Sequence, residues 1–366
     1  MFGLSTTYFT VRGASVKLMR DVVTHSKKNA LRHQHFSKRY HYKRKKTEPH
    51  FYLTALSPVL LSFSLFSTSN DSQKDKEKDK NKDIQNLVRQ GKKMLAQNYH
   101  PKKAEMLYIQ ALHLALERKD RKVIAYIQDL LANLALHTNE YDKAEPLFRN
   151  VLQNLIATGK EPNDPAILEI SLKLASIYAS QGKRELAITG YTWCADTCRT
   201  NLKKMEEDGA GMGDEEFENS VALLGMILDS YGRYLFDHGN HQEALVCTME
   251  AKSLCERLYG KTDLRTLIIY NDIGSVKSRM GKHEEAFEYV KMAVDAAENS
   301  GADPSEKAVF YTNLSMVCMR KGKPAEAEEA YKKALVEVSK TKDDALKKYV
   351  GSLANILVPD QPHSVK

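Results

Sequence analysis

The sequence predicts an all-α fold: a right-handed α-solenoid of about six antiparallel helix pairs with a C-terminal capping helix, preceded by a basic presequence and one transmembrane helix. Three observations predict it. The pattern Ala-x3-(Phe/Tyr or a substitute)-x2-(small) occurs at Ala104/Tyr108/Ala111, Ala144/Phe148/Val151, Ala187/Tyr191/Cys194, Ala244/Thr248/Ala251, Ala286/Val290/Ala293 and Ala327/Tyr331/Ala334, with anchors 40, 43, 57, 42 and 41 residues apart. A glycine stands five residues before each of the last four anchors, at Gly182, Gly239, Gly281 and Gly322. Phe51–Ser69 carries no charge over 19 residues, close to the ~20 that cross a bilayer.

Residues 1–50 hold 12 Lys/Arg against Asp21 and Glu48, a net +10, while the whole chain is +8. The basic balance therefore belongs to this segment and not to the repeats, which argues against a nucleic-acid partner for them. Val11, Leu18, Met19, Val22 and Val23 share one side of a helical wheel opposite Lys17, Arg20 and Lys28, with Arg12 interrupting the pattern. An amphipathic, basic, nearly acid-free start is the composition of a mitochondrial import presequence. Lys38–Lys46 (KRYHYKRKK) leaves a nuclear-import or nucleic-acid tail as the alternative, and the apolar segment that follows decides for import.

That segment, 51–69, is expected to be the transmembrane helix. Eight strong apolar residues favour insertion by roughly 0.3–0.6 kcal/mol each, and its hydroxyl residues and Pro58 oppose it. Lys43–Lys46 precede it and the tract 71–83 (DSQKDKEKDKNKD) sums to zero. The positive flank keeps the N-terminus in the compartment of origin. Import through the matrix then places the repeats toward the intermembrane space. Residues 70–83 read as a charged disordered spacer.

The repeat domain is expected over 84–357. Within it, Leu174, Ala175, Tyr178, Gly182, Ala187 and Tyr191 give L-A-x2-Y-x3-G-x4-A-x3-Y, which resembles the tetratricopeptide repeat, two antiparallel helices joined by a tight turn. Small residues allow close helix approach, the tyrosines fill the space between, and the glycine supplies the turn. The 57-residue interval contains Met205–Asn219 (MEEDGAGMGDEEFEN), with seven acids and three glycines. It is expected to be a mobile acidic loop, either a solvated excursion or a docking element for a basic partner. Ala345, Tyr349, Leu353 and Ile356/Leu357 form the stripe of a capping helix over 345–357, and 358–366 is a tail.

No catalytic constellation emerges. The five cysteines (194, 198, 247, 255, 318) include no Cys-x2-Cys pair and read as buried packing residues. His238 and His241 flank a turn and lack a partner pair for zinc. HExxH, a phosphate loop, GxSxG and a dinucleotide fingerprint are all missing. The chain is expected to be no enzyme and to need no cofactor or metal. A repeat stack instead offers a groove lined by its first helices. The register places Tyr126, Asp129 and Asn133 there in repeat two, Asp229 and Arg233 in repeat four, Asn271, Ser275 and Arg279 in repeat five, and Asn313 and Arg320 in repeat six. Asparagine can hold a peptide backbone with donor and acceptor together, and the arginines can pair with acidic residues. The Lys/Asn/Asn/Lys arrangement that grips chaperone-tail carboxylates is not present.

The block Ala166–Cys194 (AILEISLKLASIYASQGKRELAITGYTWC), with Asp129–Leu136 (DLLANLAL) and Leu223–Leu235 (LLGMILDSYGRYL), resembles the mitochondrial tetratricopeptide repeat protein 19 family. The resemblance covers roughly 84–357; residues 1–83 match in organisation only. It implies an inner-membrane scaffold that binds respiratory complex III and helps clear N-terminal fragments of the Rieske iron–sulfur subunit, and that is processed by an inner-membrane rhomboid protease. The competing reading is a soluble adaptor similar to kinesin light chain, which needs an N-terminal heptad coiled coil that residues 1–83 lack.

Overall fold

The computed structural model describes residues 82–98, 100–299 and 301–354. The presequence (1–50), the apolar segment (51–69), nearly all of the spacer and the tail (358–366) lie outside the described residues. Lys82 and Asp83, expected to close the spacer, already belong to the first helix.

Thirteen α-helices and no strand occur among the described residues. They run α1 (Lys82–Asn98), α2 (Pro101–Glu117), α3 (Arg121–His137), α4 (Tyr141–Ala157), α5 (Pro165–Ser180), α6 (Arg184–Glu207), α7 (Glu215–Asp237), α8 (His241–Tyr259), α9 (Leu264–Arg279), α10 (His283–Glu298), α11 (Pro304–Arg320), α12 (Pro324–Ser339) and α13 (Asp344–Ser352). Two compact units divide the chain near residue 201. In the first, α1 pairs with α2 and α3 with α4, and α2 and α4 each also pack on the helix that follows. In the second, α7/α8, α9/α10 and α11/α12 form the pairs, and α13 packs on α12.

Every anchor alanine (Ala104, Ala144, Ala187, Ala244, Ala286, Ala327) is fully buried, and so are the small residues seven positions on. Close packing follows from the missing side-chain bulk: a Cβ on Gly190 of α6 would stand 2.8 Å from that of Ala175 on α5. The turns repeat one motif. At Gly182 (φ 71°) the Gly182 amide donates to the Ala179 carbonyl and the Lys183 amide to that of Tyr178, a Schellman-type closure that needs a left-handed residue. Repeat two closes its turn in the same way on Asn139 (φ 59°).

Each first helix from α3 to α11, and α13, starts on an aspartate N-cap. Asp120, Asp164, Asp214, Asp263, Asp303 and Asp343 accept hydrogen bonds from the amides two or three residues on. This satisfies donors that the helix itself cannot. At Asp303 the box is complete, with Glu306 Oε2 accepting from the Asp303 amide at 2.9 Å.

The acidic insert differs from expectation. Residues 205–219 are not an open loop: α6 extends to Glu207, α7 begins at Glu215, and only seven residues turn between them. The long interval is taken up by helices of 24 and 23 residues. Asp214 caps α7, Glu215, Glu216 and Glu218 sit in its first turn, where negative charge suits the helix dipole, and Phe217 is fully buried beneath Arg257. The capping helix also shifts register: Leu346, Val350 and Leu353 are its buried residues, while Ala345 is exposed and Tyr349 half-buried.

Candidate functional site

The first helices carry an internal row of polar side chains. In the first unit, Asp129 of α3 is buried, and Asn133 Nδ2 donates to the Asp129 carbonyl at 2.8 Å. On α5, Lys173 donates to Glu169 Oε1 at 2.6 Å with both side chains buried, and its ammonium lies 5.4 Å from the Phe148 ring centre. Burial pushes the Asp129 and Glu169 carboxyls up, and the Lys173 charge pulls both partly back. Tyr126 is half-buried with Lys92 over its ring at 5.5 Å.

In the second unit, Asp229 of α7 is buried and pairs with Arg233 at 2.8 Å. Desolvation raises its carboxyl, and Arg233 opposes the rise. On α9 and α11, Asn313 Nδ2 donates to Asn271 Oδ1 at 2.9 Å and to Ser275 Oγ at 3.3 Å. Ser275 Oγ donates to the Asn271 carbonyl at 3.0 Å. All three are fully buried. Arg279 and Arg320, the last residues of α9 and α11, are half-exposed; Arg320 Nη1 donates to the Ser278 carbonyl at 3.2 Å.

These placements correct half of the expected groove. Asp129, Asp229, Asn271, Ser275 and Asn313 are buried among their neighbouring helices; on α9 every residue from Thr266 to Ser278 is buried. Tyr126, Asn133, Arg233, Arg279 and Arg320 keep partial exposure. The five cysteines are free and buried; burial pushes the Cys198 and Cys255 thiols up to about 12 and that of Cys318 to about 11. His238 Nδ1 lies 2.7 Å from the Tyr234 carbonyl at the end of α7. Among the described residues no three His, Cys, Asp or Glu side chains converge as metal ligands.

The tetratricopeptide repeat models match residues 223–299 and 308–335. Tetratricopeptide repeat protein 19, mitochondrial, of Mus musculus is 31% identical over 291 residues, 78% of this chain and 79% of its own length. Its Homo sapiens counterpart is 32% identical over 263 residues, 72% of this chain and 68% of its own. The chain belongs to the mitochondrial tetratricopeptide repeat protein 19 family. Among solved structures, BtubC (BKLC) from P. vanneervenii is 18% identical, covering 78% of this chain and 96% of that one at a TM-score of 0.46.

In this member of the tetratricopeptide repeat protein 19 family, the residues that the sequence reading missed are Glu169 and Lys173. They stand four apart on α5, the spacing of a helical ion pair, inside an otherwise apolar stretch. A lysine and a glutamate within such a stretch were the signal available. Tetratricopeptide repeats are in general binding scaffolds. Arg279 and Arg320 close two successive first helices, and Arg233 lies one turn before the end of the preceding one.

Proposed function

We propose that this chain is a non-catalytic scaffold of the inner mitochondrial membrane that binds respiratory complex III and promotes removal of Rieske iron–sulfur subunit fragments. Family membership carries the reading: identity of 31–32% extends over more than two thirds of mitochondrial relatives. The resemblance supplies complex III and the Rieske fragments as partners. In this reading residues 1–50 direct import, 51–69 tether the chain and are the rhomboid substrate, and the repeats face the intermembrane space. Among the described residues no helix is long and apolar enough to cross a membrane, so the tether falls to 51–69.

The half-exposed arginines at the ends of α9 and α11 supply the docking chemistry. Guanidinium groups bind carboxylates bidentately, which suits an acidic segment of the partner. Fragment clearance then comes from holding the fragment and admitting a protease.

Affinity purification of a C-terminally tagged chain from gently solubilised mitochondria tests both parts. Complex III subunits should co-elute in excess over other respiratory complexes, and Arg279→Glu with Arg320→Glu should lose them at unchanged helicity. Wild-type eluates without complex III would sink the partner assignment. Full retention by the double variant would sink the arginine row alone.

A further inference from the structure

Three large apolar side chains stay exposed on one helix: Met106 (61%), Ile109 (41%) and Leu116 (50%) of α2. They share a stripe with Lys102 and His113, at i, i+4, i+7, i+11 and i+14 from Lys102, the spacing of one helix face. The opposite face, Ala104, Tyr108, Ala111 and Ala115, is fully buried in the first helix pair. Lys102 and Lys103 are exposed at the start of the same helix, Lys119 in the turn that follows it, and Arg121 and Lys122 at the start of α3.

Charge is distributed to match. Residues 82–122 hold ten Lys/Arg against four Asp/Glu, whereas residues 123–366 hold 29 against 37. The apolar stripe thus sits in the one strongly basic part of a repeat domain that is otherwise acidic.

We propose that the outer face of α2 is a docking surface for an anionic phospholipid bilayer. Met106, Ile109 and Leu116 enter the headgroup–acyl boundary while the flanking lysines and arginines meet lipid phosphates. This is how a basic amphipathic helix lies in an interface. A second copy of the same patch would bring like charges together, and the acidic remainder of the domain is repelled by such a surface. The segment 51–69 ends only 12 residues before α1. A tether there, which belongs to the function proposed above, holds the patch at high effective concentration at the bilayer. The attraction of the patch does not depend on that tether.

The native cysteines are all buried, so an Ile109→Cys full-length chain accepts an environment-sensitive fluorophore selectively. It is mixed with phosphatidylcholine vesicles with and without phosphatidylglycerol, and flotation is scored beside emission. The expected result is flotation with a blue shift on the anionic vesicles. The shift should be lost in about 1 M salt, where the Debye length falls to about 3 Å, and in a Lys102→Glu/Lys103→Glu background. The same label at exposed Glu185 of α6 should not shift. Flotation with unchanged emission at position 109 overturns the docking surface and leaves the tether standing. No flotation on anionic vesicles overturns both. An equal shift at position 185, or a shift that appears with purified complex III and with neither vesicle, also overturns the lipid assignment.

Discussion

A methyl group at position 274 has nowhere to go. The Cβ it would add in the middle of α9 lies 2.3 Å from Val290 Cγ2 and 3.0 Å from the carbonyl of Ala286, the anchor of repeat five. Gly274→Ala must therefore push α9 and α10 apart, at a cost of about 1–3 kcal/mol. Gly225, also inside a first helix, has nothing within 4 Å of its added Cβ. Gly225→Ala should instead stabilise by up to about 1 kcal/mol, the helix-propensity difference. Urea midpoints of the two variants should move in opposite directions; a common direction would mean that packing does not decide position 274. The turn residues show what was legible at this scale. Four glycines marked turns correctly because glycine enters the left-handed region freely. Asn139 does the same work in repeat two and was not read as a turn residue, because asparagine also occurs widely outside that conformation.

Helix beginnings form a second code. The aspartate N-caps recur in every repeat after the first, although alanines and glycines display the register more openly in the sequence. One aspartate before an apolar run is weak evidence; six at repeat spacing are strong. Asp303→Ala removes a complete capping box and should cost about 1 kcal/mol, whereas Asp303→Asn, which keeps an acceptor oxygen, should cost less. Thermal unfolding of both variants checks the order. The acidic stretch 205–219 conceals a helix start of the same kind. Its glutamates resemble solvated charge, although Asp214 followed by Glu215, Glu216 and buried Phe217 is the signature of a helix start.

Asp129 offers a test in pH. Its folded carboxyl is raised chiefly by burial, with Lys173 and Asn133 opposing. A carboxyl raised on folding holds its proton more tightly in the native state. It therefore favours folding fully only below its unfolded value, and that contribution is lost as pH rises through the native one. Asp129→Asn should remove this slope, with a gain at neutral pH of about 1.4 kcal/mol per unit of displacement. Urea midpoints of variant and wild type should converge below the ordinary carboxylate range and diverge above it, the variant becoming the more stable. Parallel curves would show that Lys173 fully offsets the burial.

For the molecule as a whole, periodicity was the legible part and facing was not. Anchors and pairings follow from side-chain volume, which composition displays directly. Whether Asn271, Ser275 and Asn313 face a groove or each other depends on how many neighbours enclose a first helix, which no single repeat reveals. The last repeat tests the logic of the stack, because a repeat array is stabilised by nearest-neighbour interfaces and needs a polar outer cover. Here α13 supplies it: Leu346, Val350 and Leu353 are buried, and Tyr331 Oη donates to the Val350 carbonyl at 3.1 Å. Leu346→Ala should cost about 2–5 kcal/mol, and deletion of 343–366 more. The single tryptophan, Trp193 in α6, lies in the first unit, while far-UV circular dichroism averages over all helices. If stability is passed only between neighbours, losing the cap should lower the midpoint seen by circular dichroism well before the transition seen by Trp193 emission. Coincident shifts in both signals would show that the two units unfold as one cooperative body.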